Sequence, residues 1–367
     1  KGFNTQSVFF DYDKDGWLDM FLLQHSVART DIFGDSSERS RYSAVSGSKL
    51  FHNDHGHFRD VTRTAGIISS ALGYGLGVAI ADLDNDGYDD IYVSNDFHEN
   101  DYYYVNQGNG TFREMNNAVF GHNSKYSMGN DIADINNDGW LDIMTVDMLP
   151  EDEKVLKSSQ NDQTLDNNNN LTRMGYHFQL SRNCLQLNTG YGRHFSDIAL
   201  YSGVAATDWS WGPLIADYNL DGYNDIFISN GIKSRQNDLD NIKFNAGIPY
   251  PERLDSYRAN DKFLIERQPS GAWHNYIFEG NKDLKFQDRS ADWGFNKAGL
   301  SQGAAYADLD GDGALDLITN NMNEPAGIYR NNIMKQKAGS HYLALHLRQH
   351  TQNVFAIGAK GFLFVGG

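Results

Sequence analysis

Five short segments repeat one arrangement of side-chain oxygens, at positions one, three, five and nine of a nine-residue loop. They are Asp11, Asp13, Asp15 and Asp19; Asp82, Asp84, Asp86 and Asp90; Asp134, Asn136, Asp138 and Asp142; Asp217, Asn219, Asp221 and Asp225; and Asp308, Asp310, Asp312 and Asp316. Position six is glycine every time, at Gly16, Gly87, Gly139, Gly222 and Gly313. Alternate oxygens gathered by a sharp turn suit a hard cation, and calcium takes about six to eight of them. Position seven would add a backbone carbonyl, from Trp17, Tyr88, Trp140, Tyr223 or Ala314. The pattern predicts about five Ca2+ ions per chain, held as structural cofactors whose binding is coupled to folding. Magnesium tolerates a crowded all-protein cage poorly. An EF-hand would need a bidentate Glu at position twelve, where this chain has Leu22, Val93, Thr145, Ile228 and Thr319.

The charge balance agrees with that reading. The 367 residues carry 31 Lys plus Arg against 48 Asp plus Glu, a formal charge of −17, and eighteen of the carboxylates stand at the loop positions. Five dications would offset much of the repulsion among them. The same balance argues against a nucleic-acid binder that tracks phosphates and against attraction to anionic membranes. No apolar run approaches the roughly 18 residues of a spanning helix. The lone Cys184 excludes an internal disulfide and reads as a small buried hydrophobe. Lys1 is not an initiator methionine and no charged-then-apolar leader follows it, so any targeting segment is expected either to have been removed or to lie outside this sequence.

The elements around the loops also repeat. A short apolar run such as Val78 to Ala81 precedes each loop and a β-branched or aromatic run such as Ile91 to Val93 follows, so each loop joins two strands. Between the loops a hairpin recurs: Leu50 to Asp60, Tyr104 to Glu114, Leu187 to Asp197 and Tyr276 to Asp288. Two strands plus a hairpin make the four strands of a propeller blade. The 52-residue step from Asp82 to Asp134 approximates one blade. Longer steps carry insertions, at 147–176 and 231–273, which are candidate partner surfaces.

Other residues admit two readings each. Tyr74, Tyr126, Trp209 and Trp211 precede loops on the innermost strands, where they either rim a pocket that stacks a sugar ring or peptide aromatic, or wedge between blades. Asn130 and Asp131 share that strand position, facing the channel or a blade interface. His52, His55 and His57 align with Val105, Gly108 and Gly110, and read as variable turn positions rather than a metal site. No Gly-x-Ser-x-Gly elbow occurs, and paired carboxylates for glycoside hydrolysis are indistinguishable from cation ligands here. No catalytic residue is assigned.

The loops resemble the FG-GAP, or VCBS-type, repeats of integrin-α-like β-propellers, whose loops bind structural calcium. Further segments resemble the family around cartilage acidic protein and its bacterial relatives. They are Leu50 to Asn53 with Phe58 to Thr62 and Ala65 to Ile67, Asp147 to Asp152, Asp208 to Gly212, and Asn230 to Ile232 with Asn237 to Asp240. The tail, Ser340 to Leu347 followed by Ala356 to Lys360, resembles the start of the ASPIC and UnbV domain. The resemblance implies an all-β fold: a seven-bladed propeller over residues 1–335, then the start of a β domain over 336–367 that continues further in the whole protein. It also implies an extracellular or cell-surface protein, akin to outer-membrane lipoproteins of Bacteroidetes that serve TonB-dependent importers. The function expected is non-enzymatic binding of a protein partner, glycan or peptide. A calcium-dependent polysaccharide lyase or hydrolase, and a cation-dependent adhesion module, are the rival classes. Two departures stand out: Gln6, where the other copies have Gly77, Gly129, Gly212 and Gly303, and the presence of five loops where seven blades would be usual, which implies either an incomplete ring or blades that lack the loop.

Overall fold

A computed structural model describes residues 2–28, 35–160, 164–246, 267–336, 342–361 and 363. Each acidic loop is the turn of an antiparallel pair: Phe3–Phe10 with Asp19–His25, Gly75–Ala81 with Asp90–Asn95, Asn130–Ala133 with Asp142–Thr145, Ser210–Ala216 with Asp225–Asn230, and Ser301–Ala307 with Asp316–Asn321. One register serves all five, since the residue before the loop faces the ninth-position aspartate, as Phe10 faces Asp19 and Ala81 faces Asp90. The second strands are rich in β-branched and aromatic residues. Those of the second and fourth pairs are buried along their whole length, as central strands covered on both faces must be.

Hairpins complete the sheets. Lys49–Asp54 with His57–Asp60, Tyr102–Asn106 with Phe112–Glu114, Cys184–Asn188 with Phe195–Asp197, and Tyr276–Glu279 with Gln287–Asp288 give blades 1 to 4, and Gly327–Tyr329 is the third strand of blade 5. Within each blade the strands lie in sequence order, as in a propeller.

The described residues thus form five blades, which corrects the expectation of seven. Every blade among the described residues carries its own loop. The long intervals hold short helices, Glu153–Ser158, Leu165–Arg173 and Leu239–Ala246. Residues 161–163 and 247–266, inside the two insertions, lie outside the described residues.

The core consists of layers between blades. Phe10, Tyr12, Val78 and Phe112 join blades 1 and 2; Leu83, Tyr103 and Phe195 join 2 and 3; Ile135, Ile215 and Phe286 join 3 and 4; Tyr218, Phe227 and Leu317 join 4 and 5. One contact recurs, in which the second loop residue of a blade is covered by a phenylalanine from the next hairpin. The rings of Tyr12 and Phe112 lie 5.7 Å apart. Phe112, Phe195 and Phe286 are at most 9% exposed, whereas Phe58, at the same place in blade 1, is 45% exposed. Leu309 in loop 5 is 51% exposed, whereas its counterparts Tyr12, Leu83, Ile135 and Tyr218 are buried.

Where the inner strands converge, space is short. A Cβ on Gly129 would lie 2.5 Å from the Trp211 carbonyl oxygen and 2.8 Å from Gly212 Cα, so glycine is required for this approach. Gln6 replaces glycine in blade 1 with a polar link: its Nε2 donates to the Val78 carbonyl at 3.3 Å and its Oε1 accepts from the Val78 N–H at 3.1 Å.

The strand expected after residue 336 is absent from the described part of that segment. Leu343, Leu345 and Leu347 alternate as a strand would, yet lie exposed, with no sheet edge beside them among the described residues. The segment instead runs along the acidic loops, where the Asn353 N–H donates to the Gly16 carbonyl at 2.9 Å and Lys360 Nζ donates to the Asp82 carbonyl at 3.3 Å.

Candidate functional site

The acidic loops share one backbone path. Position four has positive φ in each, at Lys14 (62°), Asn85 (58°), Asn137 (60°), Leu220 (54°) and Gly311 (73°), and the glycine at position six has φ between 85° and 94°. Two left-handed residues so close turn successive amides inward. The first aspartate then accepts the glycine N–H, as Asp134 Oδ2 does from Gly139 at 2.8 Å, and the fifth accepts the N–H of position seven, as Asp86 Oδ1 does from Tyr88 at 2.8 Å. The position-seven rings pack outward, Trp17 against His55 with centroids 5.3 Å apart and Trp140 against Tyr191 at 4.9 Å. Neighbouring loops touch along one rim: Asn85 Nδ2 donates to the Gly139 carbonyl at 3.2 Å, and Asn137 Nδ2 to the Gly222 carbonyl at 2.8 Å.

The ninth aspartate has a second task. In blade 2, Asp90 accepts from the N–H of Leu83 at 3.1 Å through Oδ2 and from the N–H of Asn106 at 2.8 Å through Oδ1. Asp19, Asp142, Asp225 and Asp316 make the same pair of bonds, to the second residue of their loop and to Asn53, Asn188, Gly280 and Asn331. The recurrence of that hairpin asparagine in four blades was the sequence signal for this clasp. Burial, opposed by these bonds and reinforced by the neighbouring carboxylates, pushes Asp90 up to about 8 and Asp142 and Asp225 up to about 7.

The donor chemistry fits calcium in most loops. Carboxylate oxygens of Asp11, Asp13 and Asp19 lie within 4.8 Å of one another, as do those of Asp82, Asp84 and Asp86. Asp11 Oδ1 is buried with no hydrogen-bond partner among the described residues. In loops 3 and 4 the third position is an amide, and Asn136 Nδ2 and Asn219 Nδ2 donate to Asp138 Oδ2 and Asp221 Oδ2 at 2.9 and 3.0 Å. A flipped amide would turn the oxygen to a cation instead. His52, read from the sequence as a turn position, stands instead within the strand Lys49–Asp54 and reaches loop 1, its Nδ1 lying 3.4 Å from Asp13 Oδ2 and 3.2 Å from Asp19 Oδ1. His55 instead pairs with Asp54 at 2.9 Å.

Of the four aromatic candidates, the structure brings Tyr126 and Trp209 to one cavity of about 220 Å3 at the junction of blades 3 and 4. Its wall also includes Ser181, Asn237 and Gln160. The two insertions meet there, since the Gln160 N–H donates to the Asn237 carbonyl at 2.6 Å. Asp147 holds the base, accepting from the N–H groups of Lys125 and Tyr126 at 3.1 Å, and the buried pair of Arg235 Nη2 and Asp208 Oδ2 at 2.7 Å fixes the chain before Trp209. Trp209 Nε1, Ser181 Oγ and Asn237 Oδ1 are shielded from solvent and have no partner among the described residues. Tyr74 and Trp211 lie elsewhere: Tyr74 is buried and donates to the Ala28 carbonyl at 3.1 Å, and Trp211 Nε1 donates to the Gly231 carbonyl at 2.8 Å. Asp131 faces a blade interface, accepting the Ile215 N–H at 2.7 Å. Cys184 is buried beside His122 and Asp197.

No curated protein matches this sequence. Solved structures that match include a lectin of Agrocybe aegerita, studied for its specific recognition of non-reducing terminal N-acetylglucosamine. That chain is 16% identical, with a TM-score of 0.39, over 90% of this chain and 67% of the lectin. The V. cholerae biofilm matrix protein Bap1 is 13% identical, with a TM-score of 0.37, over 87% of this chain and 35% of Bap1. Residues 11–93 and 82–145 match the model of the FG-GAP-like repeat. This chain is an all-β propeller that carries FG-GAP-like repeats.

Proposed function

We propose that this protein is a non-enzymatic binding module of the cell exterior, in which calcium held by the acidic loops stiffens the propeller and the cavity between Tyr126 and Trp209 takes a small hydroxylated ring, such as one sugar residue of a glycan. The observation that carries the reading is that three residues lining that cavity, Trp209, Asn237 and Ser181, each hold a buried polar side-chain atom with no hydrogen-bond partner among the described residues. Buried polar atoms without partners are costly, and a ligand whose hydroxyls both donate and accept would satisfy all three. The indole face supplies the stacking surface. Placement at the cell surface, as an accessory to an outer-membrane nutrient importer, is supported by the resemblance of the segments around Asp147 to Asp152 and Asp208 to Gly212.

The test is a titration of the calcium-loaded protein with a panel of neutral monosaccharides and short oligosaccharides, read by tryptophan fluorescence and calorimetry. At least one sugar is expected to bind, with Trp209→Ala abolishing the response and Trp211→Phe leaving it intact. Binding that survives Trp209→Ala, or a panel with no binder beside a peptide that does bind, would overturn the sugar assignment. Release of unsaturated or reducing ends from the panel would turn the reading to an enzyme.

A further inference from the structure

One strand position looks onto each acidic loop from its own blade, namely the residue just before the hairpin amide that the ninth aspartate holds. The register identifies it, because Phe51, Tyr104, Gln186, Phe278 and Tyr329 pair with Met20, Ile91, Ile143, Ile226 and Leu317, each the residue after the ninth aspartate. The next residue is therefore equivalent in all five blades. It is His52, Val105, Leu187, Glu279 and Arg330. His52 points a ring nitrogen at Asp13 and Asp19, and Glu279 accepts from Asn219 Nδ2 at 3.1 Å. Neither places a permanent positive charge on the loop.

Blade 5 differs. The Arg330 guanidinium contacts Asp310 Oδ2, and its Nη2 lies 3.6 Å from Asp312 Oδ2, so a half-exposed cation sits on the third and fifth positions of the loop. Carboxylate oxygens of Asp308, Asp310 and Asp316 still converge within 4.8 Å. The donor set is that of the other loops, but its charge is already answered. Arginine stays ionised at any pH the fold survives. A dication about 4 Å from a guanidinium is opposed by about thirtyfold in affinity even in a water-like dielectric, and by more where solvent is excluded. Calcium is therefore opposed in loop 5 by a positive charge that its own blade supplies. Lys360 also reaches an acidic loop, 3.7 Å from Asp82 Oδ2, but it comes from a separate segment and not from the blade itself.

We infer that Arg330 is the resident counter-ion of loop 5, so that this loop excludes calcium and blade 5 is held together without it. The inference rests on the reading that the remaining loops bind calcium. It makes loop 5 the metal-independent end of the propeller, with the same backbone path set by a side chain of its own blade.

Calcium per chain is counted by equilibrium dialysis on fully chelated and reloaded protein, for the parent, Arg330→Val, Arg330→Lys, and Asp310→Asn in the parent and Arg330→Val backgrounds. Arg330→Val is expected to bind one ion more than the parent. Arg330→Lys, which keeps the charge and the fold, is expected to match the parent. Asp310→Asn should leave the parent count unchanged and remove the added ion from Arg330→Val. Equal counts in the parent and Arg330→Val, with one ion lost from the parent on Asp310→Asn, would overturn the inference while leaving calcium in the other loops intact. Absence of calcium from every variant would overturn it together with the reading on which it rests.

Discussion

The side-chain amide of Asn106 in blade 2 donates to the carbonyl of Tyr12 in blade 1 at 2.9 Å, and also to the carbonyl of Asp89 in its own blade at 3.2 Å. Asn188 and Asn331 repeat the motif, reaching back to the carbonyls of Leu83 and Tyr218. One residue type thus stitches loops 2, 3 and 5 each to the loop before it, while in blade 4, where Gly280 holds the position, Asn224 Nδ2 donates to the Asp134 carbonyl at 2.7 Å. Asn106→Ala leaves both carbonyls without that donor in a buried setting, and is expected to cost about 1–3 kcal/mol. Urea denaturation at saturating calcium measures it; a cost under about 0.5 kcal/mol would mean that water replaces the amide.

Gly139 isolates the backbone cost of the loop path. Its φ is 85°, and a Cβ there would meet nothing within 4 Å. Gly139→Ala adds no clash, so any loss reports left-handed strain alone, at about 1–2 kcal/mol. A neutral result in thermal unfolding would show that loop 3 can open at that residue.

Calcium removal should separate two kinds of aspartate. Asp86 is exposed and bonds within its loop, whereas Asp90 is buried and clasps two backbone N–H groups. Chelation is expected to lower the melting temperature of the parent, and each loop filled at a hundredfold excess over Kd should contribute up to about 2.7 kcal/mol. Asp86→Asn should lose stability in calcium but little in chelator. Asp90→Ala should lose about 2–4 kcal/mol in both. Identical melting with and without chelator would remove calcium from the account of stability.

Burial, opposed by bonds from the Asn95 N–H and the Tyr92 and Ser127 hydroxyls, pushes Asp101 up to about 7. An unfolded aspartate titrates near about 3.9, so between these values the folded chain keeps a proton that the unfolded chain has lost. That contribution to stability is full at the acid end and disappears as pH rises through about 7. Chelated protein should therefore lose stability from pH 6 to pH 8. Asp101→Asn should flatten the slope by up to about 1.4 kcal/mol per pH unit. An unchanged slope would place the titrating group elsewhere, with Asp96, also pushed up to about 7 by burial, as the next variant.

Much of this molecule was legible one segment at a time. The spacing of Asp82, Asp84, Asp86 and Gly87 dictates a turn whose backbone path depends on residues a few places apart, and that turn requires a strand on either side. The hairpins between loops follow from the same local alternation. The blade number was not legible in the same way: the resemblance implied seven, whereas the described residues form five, one for each loop.

What lay beyond the sequence depends on contacts across tens to hundreds of residues. Tyr74, Tyr126, Trp209 and Trp211 are alike in type and position, yet only Tyr126 and Trp209 line the cavity, because Gln160 and Asn237 close it from two insertions while Tyr74 and Trp211 spend their polar atoms on nearby carbonyls. Phe58 and Phe112 are equivalent by repeat, and only a preceding blade buries the second. Arg330 and Asp310 stand twenty residues apart in the chain and meet because strand register aims the one at the other. Periodicity specifies which backbone forms; the packing of one blade on the next decides which of its equivalent side chains are buried, paired or left open to a ligand.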